Sequence, residues 1–415
     1  MPEPPGWRPL LEGARREEVL QEVRGLAAAL QAYLRQTPPG APLAGGAAGL
    51  ALFFHWLERA EPDGSAEQLA EELLEAAFEA VGAQPMGVAL FSGFTGVAWA
   101  VQHLEDGREE DDALSDVDDA LARRLQVSPW RGDFDLIKGL VGLGVYALER
   151  LPRAAAVRCL EGVVARLAEL AEPHPSGLAW KTRPEWMLPE RRKRWPQGWY
   201  DLGVAHGMPG IVAVLAGAVR ADVAAAEARR LLDGVWRYLL AQRLPEPGAS
   251  FPASIFPGTE AKPGRAAWCY GTPGATLTLF SAARVLGDTA REAEVLALAR
   301  EAAKRPVAAS GVVDAGLCHG SAGLTHIFNR FFQATGESVF ADAARTWLEH
   351  TLALKTPGQG IGGYAAWGRD AEDTPAWVAR PGLLEGTAGV ALALLAAASP
   401  VEPTWDRVLL MSLRD

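Results

Sequence analysis

Cysteine is scarce in this chain of 415 residues, where only Cys159, Cys269 and Cys318 occur. Three cysteines cannot build a disulfide framework for so long a chain, so metal binding and catalysis become the roles to consider for them. A basic excess is also lacking, since the formal net charge is −11. This charge argues against nucleic acid as the main partner, because neutralising phosphates requires a basic face.

Long apolar runs and targeting signals are lacking as well. Charged residues interrupt every apolar stretch before it reaches the roughly 18 residues of a membrane span. The first seven residues have neither the basic region nor the apolar run of a secretory signal. We therefore expect a cytoplasmic protein that reaches a membrane only indirectly, through a partner.

A repeated glycine pair organises the whole chain. Gly-x-x-Gly followed by an apolar run occurs seven times, with first glycines at Gly46, Gly93, Gly139, Gly207, Gly271, Gly320 and Gly386. Such regular recurrence indicates structural repeats, and helices that are apolar all round are buried. The pattern predicts an all-α fold, namely an α/α toroid (barrel) of seven inner and seven outer helices in a single domain, residues 1–415.

Charged amphipathic stretches between the apolar runs predict the outer helices, among them residues 17–34, 66–78, 154–170 and 291–304. The three longest gaps are rich in Trp and Pro and predict ordered loops at the cavity rim, at residues 174–200, 245–268 and 356–381. We expect the first of these loops to form a small insertion. Glycine at the inner helix starts should leave free N–H groups that favour anions.

Two of the three cysteines precede a glycine pair directly. The fifth repeat reads Trp268-Cys269-Tyr270-Gly271, and the sixth reads Cys318-His319-Gly320. In a closed barrel these turns face one opening, so the two cysteines and His319 can share a metal ion. Two thiolates and an imidazole are a zinc donor set, and three protein ligands leave the fourth position open for catalysis. The alternative is that both cysteines are small buried core residues.

His206 stands directly before the fourth glycine pair, at the repeat position of Tyr270 and His319. We expect it in the same cavity, where a histidine suits proton transfer near neutral pH. A fourth zinc ligand or a hydrogen-bonded cavity histidine is the alternative. Asp135 precedes the third pair by one helical turn and is expected either as a base or charge partner or as a helix cap.

The remaining candidates have less support. Cys159 lies inside an amphipathic stretch and is expected in the core, and His326 is expected to pack inside the barrel. The basic run of residues 191–194 is flanked by tryptophans. It is expected on a solvated face, with binding of an acidic peptide as the alternative.

These motifs resemble those of the lanthipeptide cyclase family, the zinc enzymes that close thioether rings in lantibiotics. The resemblance rests on Trp268-Cys-Tyr-Gly-x-Pro-Gly, Cys318-His-Gly and Ala205-His-Gly-x-x-Gly, and it covers all seven glycine turns. It implies one Zn²⁺ held by Cys269, Cys318 and His319, with His206 as the acid/base residue. It further implies active-site roles for Asp135, Arg265 and Tyr270. Asp201 departs from the family pattern, where a more neutral residue is expected.

The implied activity is that of a free-standing cyclase. A thiolate of the precursor peptide would add to a dehydroalanine or dehydrobutyrine of the same peptide, and His206 would protonate the resulting enolate. The implied partners are a dehydrated precursor peptide, a dehydratase and a transporter.

Other functions remain open from the sequence. A relative that adds glutathione or another thiol to dehydrated residues would carry the same zinc set. A zinc-bearing scaffold that binds modified peptides is the non-enzymatic alternative. The zinc prenyltransferases fit poorly, since they use an aspartate, cysteine and histidine set on a different helix count.

Overall fold

The computed structural model describes residues 6–105, 112–370 and 372–413, and α-helices dominate them. In chain order the helices are α1 (Gly13–Leu34), α2 (Ala47–Ala60), α3 (Ser65–Ala83), α4 (Phe94–Leu104), α5 (Ser115–Leu125), α6 (Leu140–Glu149), α7 (Ala154–Leu170), α8 (Pro189–Arg194), α9 (Met208–Arg220), α10 (Ala225–Ala241), α11 (Thr272–Leu286), α12 (Thr289–Ala303), α13 (Ser321–Thr335), α14 (Ser338–Ala353) and α15 (Thr387–Ala398). None of the described helices is both long and apolar enough to cross a membrane.

Short antiparallel strand pairs lie in the loops between helices. The pairs are β1 (Glu172–His174) with β2 (Gly177–Ala179), β3 (Tyr200–Asp201) with β4 (Ser254–Ile255), and β5 (Ala366–Arg369) with β6 (Pro375–Val378). The segment 174–200, expected as a loop insertion, also contains helix α8 and a short 3-10 turn at Pro184–Trp186. The expectation of loop alone is therefore wrong for this segment.

The glycine pairs mark the starts of the inner helices as predicted. In every repeat the helix begins one residue after the first glycine, which gives α2, α4, α6, α9, α11, α13 and α15. All twelve residues of α15 are buried. The helices between them are amphipathic, and α3 shows the pattern with buried residues Ala66, Ala70, Leu73 and Ala77 at helical spacing.

The described residues divide into two compact units. The first comprises described residues within Met1–Gly87 and Pro306–Asp406, and the second comprises those within Val88–Arg305 and Arg407–Leu413. In the first unit α15 contacts both α13 and α2, while α14, α3 and α1 pack on α13, α2 and α15. In the second unit α4, α6, α9 and α11 contact one another in that order, and α7, α10 and α12 pack on α6, α9 and α11.

The inner helix starts are capped by the chain that precedes them. The N–H of Leu140 donates to the carbonyl of Asp133 at 3.2 Å, and the N–H of Ser321 donates to the carbonyl of Asp314 at 3.0 Å. The expectation of free N–H groups is wrong at these helix starts. The preceding loop folds back over the first turn, so its carbonyl oxygens accept the bonds that a helix start otherwise leaves unmade.

This close return of the chain explains why glycine occupies the turns. A Cβ atom on Gly207 would lie 2.3 Å from the carbonyl oxygen of Asp201, and one on Gly271 would lie 2.0 Å from that of Arg265. Gly271 also has a φ of +100°, which side chains rarely adopt. Glycine therefore recurs at these turns because the capped turn leaves no room for a Cβ atom.

Neighbouring turns within each unit are joined by single backbone hydrogen bonds. In the second unit Leu136 N–H donates to Ala205 O at 3.1 Å, and Ala205 N–H donates to Cys269 O at 3.4 Å. In the first unit Cys318 N–H donates to Leu384 O at 2.7 Å. These bonds fix the register of turns that are far apart in sequence.

Two expectations about buried residues are confirmed. Cys159 is 1% exposed, and its thiol donates to the carbonyl of Asp118 at 3.5 Å. His326 is fully buried, with Nε2 lying 2.6 Å from Oδ2 of Asp406. The same carboxylate accepts hydrogen bonds from Arg330, so this cluster has a structural explanation within its own unit.

Candidate functional site

The turns before α6 and α9 bring His206 and Asp135 together. Nδ1 of His206 lies 2.6 Å from Oδ2 of Asp135, whose side chain is 2% exposed, whereas the His206 side chain is 40% exposed. Oδ1 of Asp135 accepts the backbone N–H of Lys138 at 2.8 Å. One oxygen of Asp135 therefore bonds within its own turn, and the other contacts the histidine.

The surrounding charges favour the protonated form of His206. Burial acts to lower the pKa of the imidazole, but the hydrogen bond to Asp135 and its charge outweigh this, and the charges of Asp201 and Asp133 add to the effect. The pKa of His206 is therefore raised. A protonated His206 can donate a proton from Nε2 while Nδ1 remains bonded to Asp135.

Asp133 is the second carboxylate of the turn before α6. Its Oδ1 accepts the backbone N–H of Phe134 at 2.8 Å, and its Oδ2 lies 3.7 Å from Nζ of Lys138. Burial and the neighbouring charge of Asp135 raise the pKa of Asp133 to about 6. Asp133 therefore titrates close to neutral pH.

Asp201, the departure noted in the sequence, is a buried hydrogen-bond acceptor. It is 3% exposed and accepts bonds from Thr182 Oγ1 at 2.7 Å, Trp199 Nε1 at 2.7 Å and Ser254 Oγ at 2.6 Å. Burial raises the pKa of Asp201, although these bonds oppose the rise. The carboxylate thus links the 174–200 insertion and strand β4 to the turn that presents His206.

Tyr270 lies beside both His206 and Asp201. Its ring stacks on the His206 ring with a centroid separation of 6.0 Å, and its hydroxyl lies 3.5 Å from Oδ1 of Asp201. Burial raises the pKa of Tyr270, the charge of Asp201 adds to the rise, and the charge of Arg191 opposes it. Tyr270 is therefore a neutral hydroxyl at physiological pH.

A cavity of about 370 Å³ opens at this group. Asp133, Asp135, Asp201, His206 and Tyr270 line it together with the insertion residues Thr182, Glu185, Trp186, Met187, Leu188, Arg191 and Trp199. The prediction that the 174–200 segment rims a cavity is thus confirmed. Carboxylates and His206 form the polar part of the lining, and Trp186, Met187 and Leu188 form an apolar part.

The candidate metal ligands each stand one or two residues before a helix-opening glycine. Cys269 is buried, while Cys318 and His319 are partly exposed. Cys269 belongs to the second compact unit, and Cys318 and His319 belong to the first. Nε2 of His319 lies 4.0 Å from Oδ2 of Asp314, a carboxylate of the kind that commonly accompanies a metal-bound histidine.

Arg265 is the remaining residue to which the sequence assigned an active-site role. It is exposed and does not line the cavity described above. Its carbonyl oxygen belongs to the capped turn before α11, against Gly271. A role of its side chain in the active site remains a prediction.

Sequence reasoning did not place Arg191, Trp186 or Asp201 in the cavity. The only signals were the basic run with its flanking tryptophans and the unexpected aspartate before the fourth glycine pair. Their place in the lining of the same cavity depends on how the insertion folds back over the turn, which local patterns do not specify.

The chain resembles known proteins both in sequence and in structure. A family model for the lanthionine synthetase C-like protein matches residues 38–410. Nisin cyclase has a similar structure, with a TM-score of 0.75 and 19% identity, over 95% of this chain and 98% of that chain. A sugar epimerase from a ruminal bacterium gives a TM-score of 0.49 at 9% identity, over 91% and 98% of the two chains.

The likeness to nisin cyclase covers nearly the whole chain and shows its fold. The all-α fold of the α/α toroid class, predicted from the glycine repeats, is confirmed. The family model spans far more than half of the sequence. The chain belongs to the lanthionine synthetase C-like family.

Proposed function

We propose that this protein is a zinc-dependent cyclase that forms lanthionine and methyllanthionine rings. Cysteine thiolates of a precursor peptide add to dehydroalanine or dehydrobutyrine residues of the same peptide. The proposal is carried by the residue types at Cys269, Cys318 and His319, two thiols and an imidazole that stand just before helix-opening glycines. The family and the likeness to a protein named nisin cyclase support it and favour a peptide substrate.

The donor chemistry of the proposed ligands fits zinc. Two thiolates and one imidazole are soft and borderline donors, and three protein ligands leave one tetrahedral position for a substrate thiol. When bound, zinc would deprotonate that thiol and keep it nucleophilic at neutral pH. The nearby carboxylate of Asp314 is suited to orienting the ring of His319.

The chain's own residues supply the proton for the second half of the reaction. Addition of sulfur to the β-carbon moves the π electrons of the peptide's double bond toward its carbonyl oxygen. His206 then delivers a proton to the α-carbon from Nε2, while Asp135 holds Nδ1. The proton that the thiol released to solvent restores the proton of His206. In the net reaction the S–H bond and the π bond of the double bond are replaced by one carbon–sulfur bond and one carbon–hydrogen bond.

The test is incubation of the zinc-loaded protein with a dehydrated, cysteine-containing peptide, with and without glutathione. Ring closure leaves the peptide mass unchanged, so free thiols are counted by alkylation and mass spectrometry. The proposal predicts that alkylation is lost and that fragmentation between ring-forming residues disappears. A peptide that stays alkylatable but gains the mass of glutathione would replace this proposal with intermolecular thiol addition.

The remaining features of the proposal concern the cellular setting. A dehydrated precursor implies a dehydratase that acts before the cyclase, and a transporter is the expected further partner. We place the reaction in the cytoplasm and assign it to a single domain. Co-purification of the tagged protein with a dehydratase, compared with a Cys318→Ala control, tests the first of these partners.

A further inference from the structure

Two cationic side chains line the cavity beside His206, and they differ in their surroundings. Lys138 lies 3.7 Å from Asp133 through its Nζ atom, so a carboxylate already offsets its charge. Arg191 is the other cation in the lining, and it comes from helix α8 of the insertion. Its charge acts on the hydroxyl of Tyr270, which stacks on His206.

The neighbours of Arg191 on α8 are used to hold the insertion in place. Arg192 donates from Nε to the carbonyl of Pro184 at 2.9 Å and from Nη2 to the carbonyl of Glu185 at 3.3 Å. The guanidinium of Arg194 lies over the ring of Trp195 at 5.5 Å. These contacts fix the segment that carries Arg191. Arg192 therefore has a structural role, whereas Arg191 lines the cavity.

An enolate that forms in the cavity would be stabilised by a positive group beside its oxygen. Asp133, Asp135 and Asp201 all line it, and their charges repel negative charge that develops on a substrate oxygen. The lining also has an apolar part that includes the buried Met187, and a charge interaction beside apolar surface is stronger than one in open water. His206 loses its own positive charge when it transfers its proton to the α-carbon.

We propose that Arg191 is a further catalytic residue, whose guanidinium holds the enolate oxygen of the dehydrated residue while His206 protonates the α-carbon. This inference rests on the proposed cyclase function. As sulfur bonds to the β-carbon, the double-bond electrons move to the carbonyl oxygen, and the N–H groups of Arg191 donate to that oxygen. The oxygen returns to a neutral carbonyl when the α-carbon takes the proton.

Arg191 and Arg265 come from different parts of the chain. Arg265, the arginine implied by the family resemblance, does not line this cavity, whereas Arg191 does, although both residues are exposed. Arg191 comes from the insertion at 174–200, whose extra length separates the third and fourth glycine pairs. The same insertion supplies Trp186 and Met187 to the lining.

The experiment compares ring-closure kinetics of the zinc-loaded wild type with Arg191→Ala, Arg191→Lys and the control Lys193→Ala, which changes an exposed cation on the same helix. Arg191→Ala should lower kcat by about 100-fold, as removal of one oxyanion donor does. Its KM should stay within about threefold, and added guanidinium should restore part of the rate. Arg191→Lys should retain an intermediate rate, and Lys193→Ala the full rate.

Three outcomes would overturn the inference. The first is a kcat for Arg191→Ala within about threefold of wild type, and the second is an effect confined to KM, which would indicate peptide binding alone. The third is an equal loss in Lys193→Ala, which would indicate a general effect of charge on α8. If the wild-type protein closes no ring, the proposed cyclase function itself is wrong. This result differs from the three outcomes above, which overturn only the role of Arg191.

Discussion

Nδ1 of His206 lies 2.6 Å from Oδ2 of Asp135, although 71 residues separate them in sequence. The backbone bond from Leu136 N–H to Ala205 O joins the two turns one residue away from this pair. The contact therefore follows from the register of neighbouring glycine turns. It leaves Nε2 of His206 as the ring nitrogen available to a substrate.

Replacement of Asp135 by asparagine should lower ring closure by about 100-fold or more. Asparagine keeps the shape of the side chain but removes the charge that raises the pKa of His206. His206 must be protonated to act as an acid, so activity falls as pH rises through its raised pKa. In Asp135→Asn this falling limb should move to lower pH in the kcat profile.

A profile that keeps its falling limb at the wild-type pH would contradict the role of Asp135. Zinc content provides the control, since neither Asp135 nor His206 belongs to the proposed ligand set. His206→Asn should likewise retain zinc and lose ring closure. Loss of zinc in this variant would instead make His206 a metal ligand.

Removal of one proposed ligand should remove the metal. We expect Cys318→Ala and Cys269→Ala to purify with far less than one equivalent of zinc, as measured by elemental analysis. Cys159→Ala is the matched control, because burial raises the pKa of its thiol to about 12 and the thiol donates to a backbone carbonyl. A full equivalent of zinc in either ligand variant would refute the assignment.

The raised pKa of Asp133 predicts a pH-dependent effect on stability. Its folded-state pKa of about 6 lies above the unfolded value, so ionisation of Asp133 costs folding free energy as pH rises through this range. Asp133→Asn keeps the Oδ1 acceptor for Phe134 and removes this cost. Denaturant titration measures the unfolding free energy of the variant minus that of wild type. This difference should be larger at pH 8 than at pH 4 by on the order of 1 kcal/mol. An equal effect at both pH values would contradict the raised pKa.

The capped glycine turns should tolerate no side chain. Gly271→Ala would place Cβ 2.0 Å from the carbonyl oxygen of Arg265 at a φ of +100°, and should cost more than about 2 kcal/mol. Gly25→Ala is the control, since a Cβ there meets nothing within 4 Å inside α1. This control should gain about 0.5–1 kcal/mol. Similar melting temperatures for both variants would contradict the steric account.

The sequence predicted the helical architecture well because the repeat is a local steric requirement. Each first glycine is followed at once by an inner helix, and the predicted stretch 154–170 coincides with α7. The free N–H groups were predicted wrongly, since the carbonyls that cap them come from the returning loop. Gly-x-x-Gly alone does not reveal that return.

The composition of the candidate site was only partly predictable. His206, Asp135 and Tyr270 could be anticipated because all three precede glycine turns of the repeat. Arg191 and Trp186 could not, because they reach the cavity through an insertion without repeat periodicity. The burial of Asp201 depends on donors from Thr182 and Ser254, which lie 19 and 53 residues away.

Metal dependence of ring closure tests the central proposal most directly. The protein is stripped with a chelator, reloaded with zinc or left without it, and incubated with a dehydrated cysteine-containing peptide, whose free thiols are then counted by alkylation. We predict ring closure only after zinc is restored, in proportion to bound zinc up to one equivalent. Equal ring closure by the metal-free protein, or none by the zinc-loaded protein, would contradict the account.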